Sequence, residues 1–513
     1  MRRSLLAILM IAGLIMPACS AKNPPIQVPP ASYWPTQGWR TSTPEEQGFD
    51  STRLAEGLQS IRSQNINIHS LTIIRNDNLI LDAYFYPYDG ETFHEIASVT
   101  KSVMTTLIGI AVDQGKLNLD DKMVSFFPER VIANGGFLKN RVTVRQLTGM
   151  TSGLDCTSEN DEQTLAEMGN APDWVQFTLD RKVKHLPGTY FEYCSPGMHV
   201  LSAILQESTG MTTAEFARIN LFEPLGITDF LWEEDPQGYN DGWAGLYLHP
   251  RDLAKIGYLM LHQGQWEGKQ IVSSEWVTEA TRLQKKTGRG DDYGYGWWVP
   301  PPTQFVEFAA EGRGGQYIRV LPELNLVIVT TGGGFEWNEI VPMLVPAMVS
   351  SDALAVNPEG MEQLDVALTA IRQAPPPQSV PPIPEMAFSI SGRTYAFEFS
   401  PLDLKTICWE FDGSTEARLN ASFYSQPDLD LRVPLDGVYR MYPVGEHDLM
   451  LGMRGSWIDS QTFLFEYDTI ANHDAYTLEL HFDGDVVKIN EKERTHKAVM
   501  TLEGKVQSLD RCK

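Results

Sequence analysis

The motif Ser98-Val99-Thr100-Lys101 stands at the head of an apolar run and limits what this chain can form more than any other stretch. The apolar residues behind it recur at helical spacing and end at a glycine suited to a helix C-terminus: Val103, Leu107, Ile110, Ala111 and Gly115. The motif therefore predicts the start of a buried helix. On one helical turn, the Ser98 hydroxyl and the Lys101 amine lie on the same face and can meet.

In a buried helix, Lys101 can activate the Ser98 hydroxyl. Desolvation lowers the pKa of a lysine in a closed pocket, so that its amine can help to draw a proton from a neighbouring hydroxyl. Backbone N–H groups at a helix N-terminus also favour negative charge that develops at Ser98. Because Ser-x-x-Lys pairs also occur by chance on exposed helices, other segments have to agree before a catalytic role is assigned.

Length and charge limit the function classes. The 513 residues exceed what one hydrophobic core supports, since domains hold about 100–200 residues, so two or three units are expected. The net charge of −25 argues against nucleic acid and anionic lipid as partners. The sequence has no HExxH motif and no phosphate loop, so we predict no metal and no nucleotide cofactor.

Two other patterns that activate a serine nucleophile fit the sequence less well than the Ser98 and Lys101 pair. A Gly-x-Ser-x-Gly elbow is missing, which disfavours an α/β-hydrolase. His94 lies four residues before Ser98 and invites a triad interpretation. Lys101 already fills the role of the activating group, so a structural role is favoured for His94.

The N-terminus is a targeting segment that ends at residue 19. A basic region at residues 2–3 precedes an apolar core at 5–15, which is too short to span a membrane. The segment resembles a bacterial lipoprotein signal in which Cys19 becomes the lipidated first residue, and Ser20 is similar to the outer-membrane sorting pattern. An ordinary signal peptide cut beside this cysteine is the alternative. We expect an exported protein of the cell envelope, lipid-anchored in the outer membrane and facing the periplasm, with no other membrane contact.

Four cysteines remain once Cys19 is set aside, namely Cys156, Cys194, Cys408 and Cys512. An exported chain is in a compartment that permits disulfides. The first two cysteines fall in one expected unit and the last two in another, so we predict the pairs Cys156–Cys194 and Cys408–Cys512. Free buried thiols are the alternative, and metal binding is disfavoured because no CxxC pattern or histidine cluster accompanies the cysteines.

The pattern along the chain indicates two folded units behind a proline-rich tether at 20–38. Two predicted hairpins, at 70–84 and 317–330, enclose a mostly helical segment. They indicate an α/β (α+β) unit at 39–372, with one antiparallel sheet built from both ends, an inserted helical lobe and a cleft between them. After a proline-rich linker at 373–384, alternating apolar and polar runs in 385–513 predict an all-β barrel or sandwich.

The segment 39–372 contains three motifs, Ser98-Val99-Thr100-Lys101, Tyr193-Cys194-Ser195 and the glycine-rich residues 310–316. Together they resemble the motifs of the serine β-lactamase and penicillin-binding-protein superfamily, in its class C-like branch, which includes esterases, D-aminopeptidases and amide hydrolases. Ser98-Val99-Thr100-Lys101 is similar to the first motif, and Tyr193-Cys194-Ser195 to the Tyr-x-Asn/Ser motif. A third motif, Lys/His/Trp-x-Gly followed by a strand, falls near residues 310–316. The resemblance implies a β-lactamase-like fold and serine hydrolase activity.

The resemblance also implies roles for individual residues. Ser98 would be the nucleophile, Lys101 its activating partner, and Tyr193 the group that exchanges protons with the hydroxyl, the leaving group and water. The oxyanion hole would combine the Ser98 N–H with an N–H of the third motif. In one register of that motif the donor is Arg313, and in another it is Gln316. Ser195 and Gly312 are carried over as substrate-binding positions of the second and third motifs.

Departures from the family pattern bear on the substrate. Ala310 stands where β-lactamases carry a lysine, and Ser195 replaces their usual asparagine, so β-lactam recognition is weakened. Arg313 would supply positive charge in the other register, which leaves a carboxylate-bearing substrate open. We expect a metal-independent serine hydrolase that cleaves an ester or amide of a small molecule or short peptide. The alternatives are a D-amino-acid peptidase or weak β-lactamase, and a catalytically idle cell-envelope binding protein; the oligomeric state is not predicted.

Overall fold

Strands from both ends of the first unit form one antiparallel sheet, as predicted. The computed structural model describes residues 28–513, apart from 157–160, 289, 302–304, 399–402, 426, 446, 448, 495–498, 509–511 and 513. The predicted signal segment with Cys19, and the first part of the tether, lie outside the described residues. Across the sheet the strands follow the order Asn78–Tyr84, Ile68–Arg75, Leu326–Gly332, Gln316–Leu321, Phe308–Gly312, Trp298–Val299, Asp292–Tyr293 and Lys285–Lys286.

Helices cover both faces of this sheet. Successive side chains of a strand point to opposite faces, so neighbouring residues of the strand Ile68–Arg75 enter different cores. Ile73 lies in a core shared with the helices Ser51–Ser63, Trp337–Leu344 and Pro358–Arg372. Ile74 lies in a larger core shared with the helices Val99–Asp113 and Pro250–Leu261. The Ser98 motif therefore opens a helix that is packed directly between the sheet and the helical lobe.

The segment between the two halves of the sheet forms the predicted helical lobe. Its further helices are Val144–Thr148, Asp161–Gly169, Trp174–Asp180, Ser195–Thr209, Thr213–Ala217, Glu223–Leu225 and Ser274–Ala280. Its short strands are His94–Glu95, Leu231–Trp232, Leu246–Leu248, Gln265–Trp266 and Lys269–Gln270. Over the part of the chain that the structure describes, no helix has the length and apolar character needed to cross a membrane.

The C-terminal unit is a nearly closed all-β barrel. Residues 373–384 carry no helix or strand, and a short helix, Glu385–Ile390, precedes the barrel. Across the barrel the antiparallel strands follow the order Leu429–Pro434, Glu416–Phe423, Leu404–Glu410, Thr394–Ala396, Val499–Ser508, Val486–Glu493, Ala475–Asp483, Thr462–Thr469, Leu449–Trp457 and Arg440–Val444. The Tyr442 hydroxyl donates a hydrogen bond to the Arg432 carbonyl, which joins the two edge strands. Of the two predicted forms, the barrel is the one observed.

Both predicted disulfides are present. Cys156 is bonded to Cys194 and Cys408 to Cys512, with Cα atoms 5.3 and 5.7 Å apart. Each bond closes a loop within one unit of the chain. The first bond holds the segment that carries Tyr193 against the lobe, and the second attaches the C-terminal end of the chain to the barrel.

A buried acidic group lies in the loop that follows the short strand Leu231–Trp232. Burial raises the pKa of Asp241 to about 8, and the nearby carboxylates of Glu233, Asp235 and Glu95 add to this shift. His199 Nδ1 lies 3.9 Å from the Asp241 carboxylate. The folded protein therefore holds a proton on Asp241 that the unfolded chain releases near the ordinary value of 3.8.

Gly109→Ala in the Ser98 helix is expected to lower the free energy of unfolding by about 1–3 kcal/mol, measured by urea denaturation. A Cβ atom at this position would lie 2.5 Å from the Trp276 ring, so the helix or the ring has to shift. Gly169→Ala, at a helical glycine with open space around it, is the control and is expected to change stability by about 0.5 kcal/mol or less. Equal losses in both variants would contradict this packing account.

Asp241→Asn is expected to stabilise the protein increasingly as the pH rises from about 4 to 8. Across this window the folded state binds more protons than the unfolded state, so wild-type stability falls with pH, and an amide removes that dependence. The measurement is the melting temperature at several pH values, with the exposed Asp229→Asn as the matched control. A difference between Asp241→Asn and wild type that does not change with pH would contradict the assignment.

Candidate active site

Lys101 meets Ser98 as the motif spacing predicts. Its Nζ atom donates hydrogen bonds to Ser98 Oγ at 2.7 Å and to the Trp243 carbonyl at 3.0 Å. The lysine is 1% exposed, whereas Ser98 is half-buried and lines a cleft. An ammonium group taken out of water needs such partners, because an unpaired buried charge is very costly. The buried Lys101 ammonium group therefore lies beside a hydroxyl that substrate can reach.

The backbone just before Ser98 is strained in a way that exposes the hydroxyl. Ala97 has a φ of 46°, in the left-handed region that residues with a Cβ atom rarely adopt. The Ile96 N–H donates to the Leu246 carbonyl at 2.9 Å, which fixes the chain immediately upstream. The chain then turns sharply, so that Ser98 is the N-cap residue of the helix Val99–Asp113. Strain held by surrounding contacts is typical of functional positions.

Tyr193 lies beside Lys101 in the same cleft. Lys101 Nζ lies 4.8 Å from the centroid of the Tyr193 ring, and both Ser98 and Tyr193 line the cleft. The Tyr193 ring stacks on Trp298 with centroids 6.0 Å apart. The hydroxyl and amine of the first sequence motif and the phenol of the second are therefore neighbours in space.

The residues on either side of Tyr193 hold it in place. The Glu192 N–H donates to the Met150 carbonyl at 2.9 Å, and Cys194 is held by its disulfide to Cys156. Ser195 then begins the helix Ser195–Thr209. Ser195 is 5% exposed and is not among the described residues that line the cleft, so its position does not support the prediction that it binds substrate.

The third motif ends beside the nucleophile. A Cβ atom on Gly312 would lie 2.7 Å from the Ile96 carbonyl and 3.0 Å from Ala97 Cβ, so only a glycine lets the strand Phe308–Gly312 approach this closely. Gly312 and Arg313 both line the cleft. The register that makes Arg313 the oxyanion donor therefore fits the structure.

The described lining of the cleft favours the Arg313 register over the alternative with Gln316. Gln316 is fully buried behind the turn, and it does not belong to the described lining of the cleft. Its carboxamide nitrogen donates to the Gly332 carbonyl at 2.6 Å and to the Arg313 carbonyl at 3.1 Å, and its oxygen accepts from the Gly332 N–H at 3.1 Å. Gln316 therefore fixes the turn from behind and does not contact the cleft.

The cleft has a volume of about 600 Å³, which suits a small molecule or a short peptide segment. Besides the three motifs, its walls carry aromatic, acidic and basic side chains: Trp298, Tyr317, Phe335, Glu311, Glu336, Glu339, Arg313 and Arg494. Burial raises the pKa of Glu311, although the nearby Arg319 opposes this shift. The lining is therefore mixed, with carboxylates more numerous than guanidinium groups.

Sequence reasoning assigned no site residue to the barrel, yet the barrel reaches the cleft. Arg494 is one of the lining residues. Arg313 Nη2 donates to Asp474 Oδ1 at 2.7 Å and contacts His473 Nε2. The histidine and aspartate lie in the turn between two barrel strands, about 160 residues from Arg313 in sequence. No motif or periodicity marks them, so only the docking of the barrel reveals them.

Glu95 is a second residue that sequence reasoning missed. Its Oε1 accepts from the Gly245 N–H at 2.9 Å, and its Oε2 lies 3.4 Å from His473 Nδ1. Burial alone would raise the pKa of Glu95, but hydrogen bonds from His473 and from the N–H groups of Gly245 and Ala97 outweigh it and lower the pKa. An ionised carboxylate therefore lies three residues before Ser98 and faces the barrel.

His94 has the structural role that the sequence favoured. Its Nε2 lies 2.8 Å from His69 Nδ1, and its Nδ1 lies 2.7 Å from the Glu95 carbonyl. Burial lowers the pKa of His94 to about 4, so the ring is neutral at physiological pH. Its position provides no Ser-His triad.

Comparison with known proteins identifies the fold that carries this site. The family model described as Beta-lactamase matches residues 55–344, more than half of the chain. An uncharacterized protein of Alkalihalophilus pseudofirmus is 26% identical over 307 residues, which cover 52% of this chain and 84% of that protein. The 6-aminohexanoate-dimer hydrolase of Paenarthrobacter ureafaciens is 24% identical over 314 residues, covering 56% and 79%. The solved structure of EstCE1, a hydrolase with promiscuous acyltransferase activity, shares the fold with a TM-score of 0.50 at 16% identity, over 58% of this chain and 99% of that chain. The chain therefore belongs to the beta-lactamase family of serine hydrolases.

Proposed function

We propose that the protein hydrolyses an ester or amide bond of a small molecule or short peptide through an acyl-enzyme on Ser98. The contact between Lys101 Nζ and Ser98 Oγ at 2.7 Å, at a cleft that Tyr193 also lines, carries the proposal. A buried cation beside a hydroxyl favours its ionised form and so increases its nucleophilicity. An idle binding protein has no chemical need for these three groups together.

The geometry supports a two-step reaction. Ser98 Oγ attacks the substrate carbonyl carbon, and its proton passes to the phenolate oxygen of Tyr193, which the neighbouring Lys101 ammonium group stabilises. The backbone N–H groups of Ser98 and Arg313 receive the negative charge on the carbonyl oxygen. The leaving alcohol or amine takes up the proton as its bond to the acyl carbon breaks. Water then attacks the acyl-enzyme, one of its protons returns to Ser98 Oγ, and the acid is released.

Several observations favour ester and small amide substrates over β-lactams. Ala310, at the position of the β-lactamase lysine, is fully buried and offers no cation. The cleft instead carries the carboxylates of Glu336 and Glu339, and acidic side chains disfavour the anionic β-lactam nucleus. A relative of this chain is named as a hydrolase of the 6-aminohexanoate dimer, which is consistent with amide cleavage.

The location that we propose for this activity is the cell envelope. The two disulfides are consistent with an oxidising compartment, where such bonds form and persist. The apolar segment at 5–15 and Cys19 support export with a lipid anchor.

Ser98→Ala is expected to abolish labelling by a fluorophosphonate probe and to reduce p-nitrophenyl ester hydrolysis to background. The reason is that this hydroxyl is the attacking atom of the proposed reaction, and alanine removes it. Ser63→Ala, at an exposed serine, is the matched control and is expected to keep full labelling. Labelling of Ser98→Ala at the wild-type level would refute the proposed nucleophile.

Tyr193→Phe is expected to lower kcat for a p-nitrophenyl ester by about 10²–10⁴-fold, the range typical of a lost proton-transfer group. The substitution keeps the ring that packs beside Lys101 and removes only the phenol oxygen. Tyr190→Phe, at a half-exposed tyrosine of the same loop, is the control and is expected to leave kcat within about twofold. If both variants retain wild-type kcat, Tyr193 does not transfer the proton.

A further inference from the structure

The barrel turn Ile470–Asp474 contacts two segments beside the cleft, the one that precedes Ser98 and the third motif. On one side, the Glu95 N–H donates to the Ala471 carbonyl at 2.6 Å, and the Glu95 carboxylate faces His473. On the other side, Asp474 and His473 contact the guanidinium of Arg313. The turn therefore connects the residue three positions before Ser98 with the residue that follows Gly312.

These contacts determine which atoms of His473 donate and which accept a hydrogen bond. Arginine has only hydrogen-bond donors, so His473 Nε2 acts as the acceptor from Arg313. The ring proton is then on Nδ1, which lies 3.4 Å from Glu95 Oε2. A Cβ atom on Gly314 would lie 2.3 Å from His473 Cβ, so the turn and the third motif are in direct contact.

The same contacts determine the charge that substrate meets. Arg313 lines the cleft next to Ser98, where an available guanidinium would bind a substrate carboxylate in bidentate fashion. Here the guanidinium is paired with Asp474, and the side chains are 31% and 27% exposed. The other arginine of the lining, Arg494, is paired with Asp468 at 3.3 Å. Both cations of the described lining are thus matched by carboxylates of the barrel, while Glu336 and Glu339 add two further acidic side chains to that lining.

We propose that the turn Ile470–Asp474 is a specificity element of the cleft: Asp474 and His473 hold Arg313 away from substrate carboxylates, so the enzyme selects neutral or cationic acyl groups over anionic ones. The inference rests on the proposed Ser98 hydrolase activity. It assigns Asp474 and His473 a positioning role and no part in the bond-breaking step.

The test compares kcat/KM for three p-nitrophenyl esters of similar length: the butyrate, the hydrogen succinate and the 4-(trimethylammonio)butyrate. Wild type is expected to hydrolyse the neutral and cationic esters at least about tenfold more efficiently than the anionic one. Asp474→Asn is expected to raise the ratio of anionic to neutral kcat/KM by about fivefold, mainly through a lower KM for the anionic ester. Asp474→Glu, which keeps the charge, is expected to retain the wild-type ratio.

Asp485→Asn is the matched control, because Asp485 lies in another turn of the same barrel, pairs with Arg393 and has an 80% exposed side chain. It is expected to leave all three values unchanged. In the Asp474→Asn/Arg313→Gln double variant the gain is expected to disappear, since the released cation is no longer present. An unchanged ratio in Asp474→Asn, with wild-type turnover of the neutral ester, would overturn the specificity role and leave the hydrolase proposal standing.

Arg313→Gln alone tests the inference without relying on the folding of the Asp474 variants. It is expected to keep the anionic-to-neutral ratio within about twofold of wild type, because the wild-type guanidinium does not bind substrate. A tenfold loss on the anionic ester alone that persists in the double variant, where position 474 carries no unpaired carboxylate, would show that Arg313 already binds carboxylates and would overturn the inference. Failure of wild type to hydrolyse any ester, together with absent fluorophosphonate labelling of Ser98, would instead refute the proposed function itself.

Discussion

The burial of the Lys101 ammonium group is the constraint on which the rest of the site depends. A cation removed from water has to be surrounded by acceptors or aromatic faces, and the structure meets this need with groups from separate parts of the chain. Ser98 Oγ comes from the start of a helix, and the Trp243 carbonyl from a loop of the lobe. The faces of Tyr193 and Trp243 lie 4.8 and 5.7 Å from the Nζ atom. The groups that surround the Lys101 ammonium group are therefore the same groups that form the reactive centre.

The site also requires that the backbone at the start of the Ser98 helix and the backbone of the third-motif strand approach each other closely. Ala97 adopts a left-handed conformation, and Gly312 has no Cβ atom, so the helix start and the third-motif strand can lie against each other. Gln316 bonds to Arg313 and Gly332 from behind, which keeps the glycine-rich turn from collapsing into the cleft. Rigid support of this kind lets a site keep its geometry without relying on the substrate.

Local signals account for what could be predicted from the sequence. The Ser98 helix, both hairpins and the all-β character of the C-terminal unit follow from periodicities of 3.6 and 2 residues, and the disulfide pairs follow from the division into two units. The register of residues 310–316 could not be decided, because a turn with three glycines has no periodic side chains to fix it. Ser195 was assigned by its place in a motif, and it is 5% exposed at the start of a helix, outside the described lining of the cleft. The contact of His473 with Arg313 depends on how the barrel docks, and nothing within either segment encodes that.

Each disulfide closes a loop on one side of residues 373–384, so the four cysteines that the structure describes form no covalent tie between sheet and barrel. The barrel meets the cleft through Arg494 and the five-residue turn Ile470–Asp474, which carry none of the groups proposed to break bonds. Under the proposed specificity role, recombination within the proline-rich segment or substitutions within that turn would change which compounds are accepted while the reactive centre stays intact.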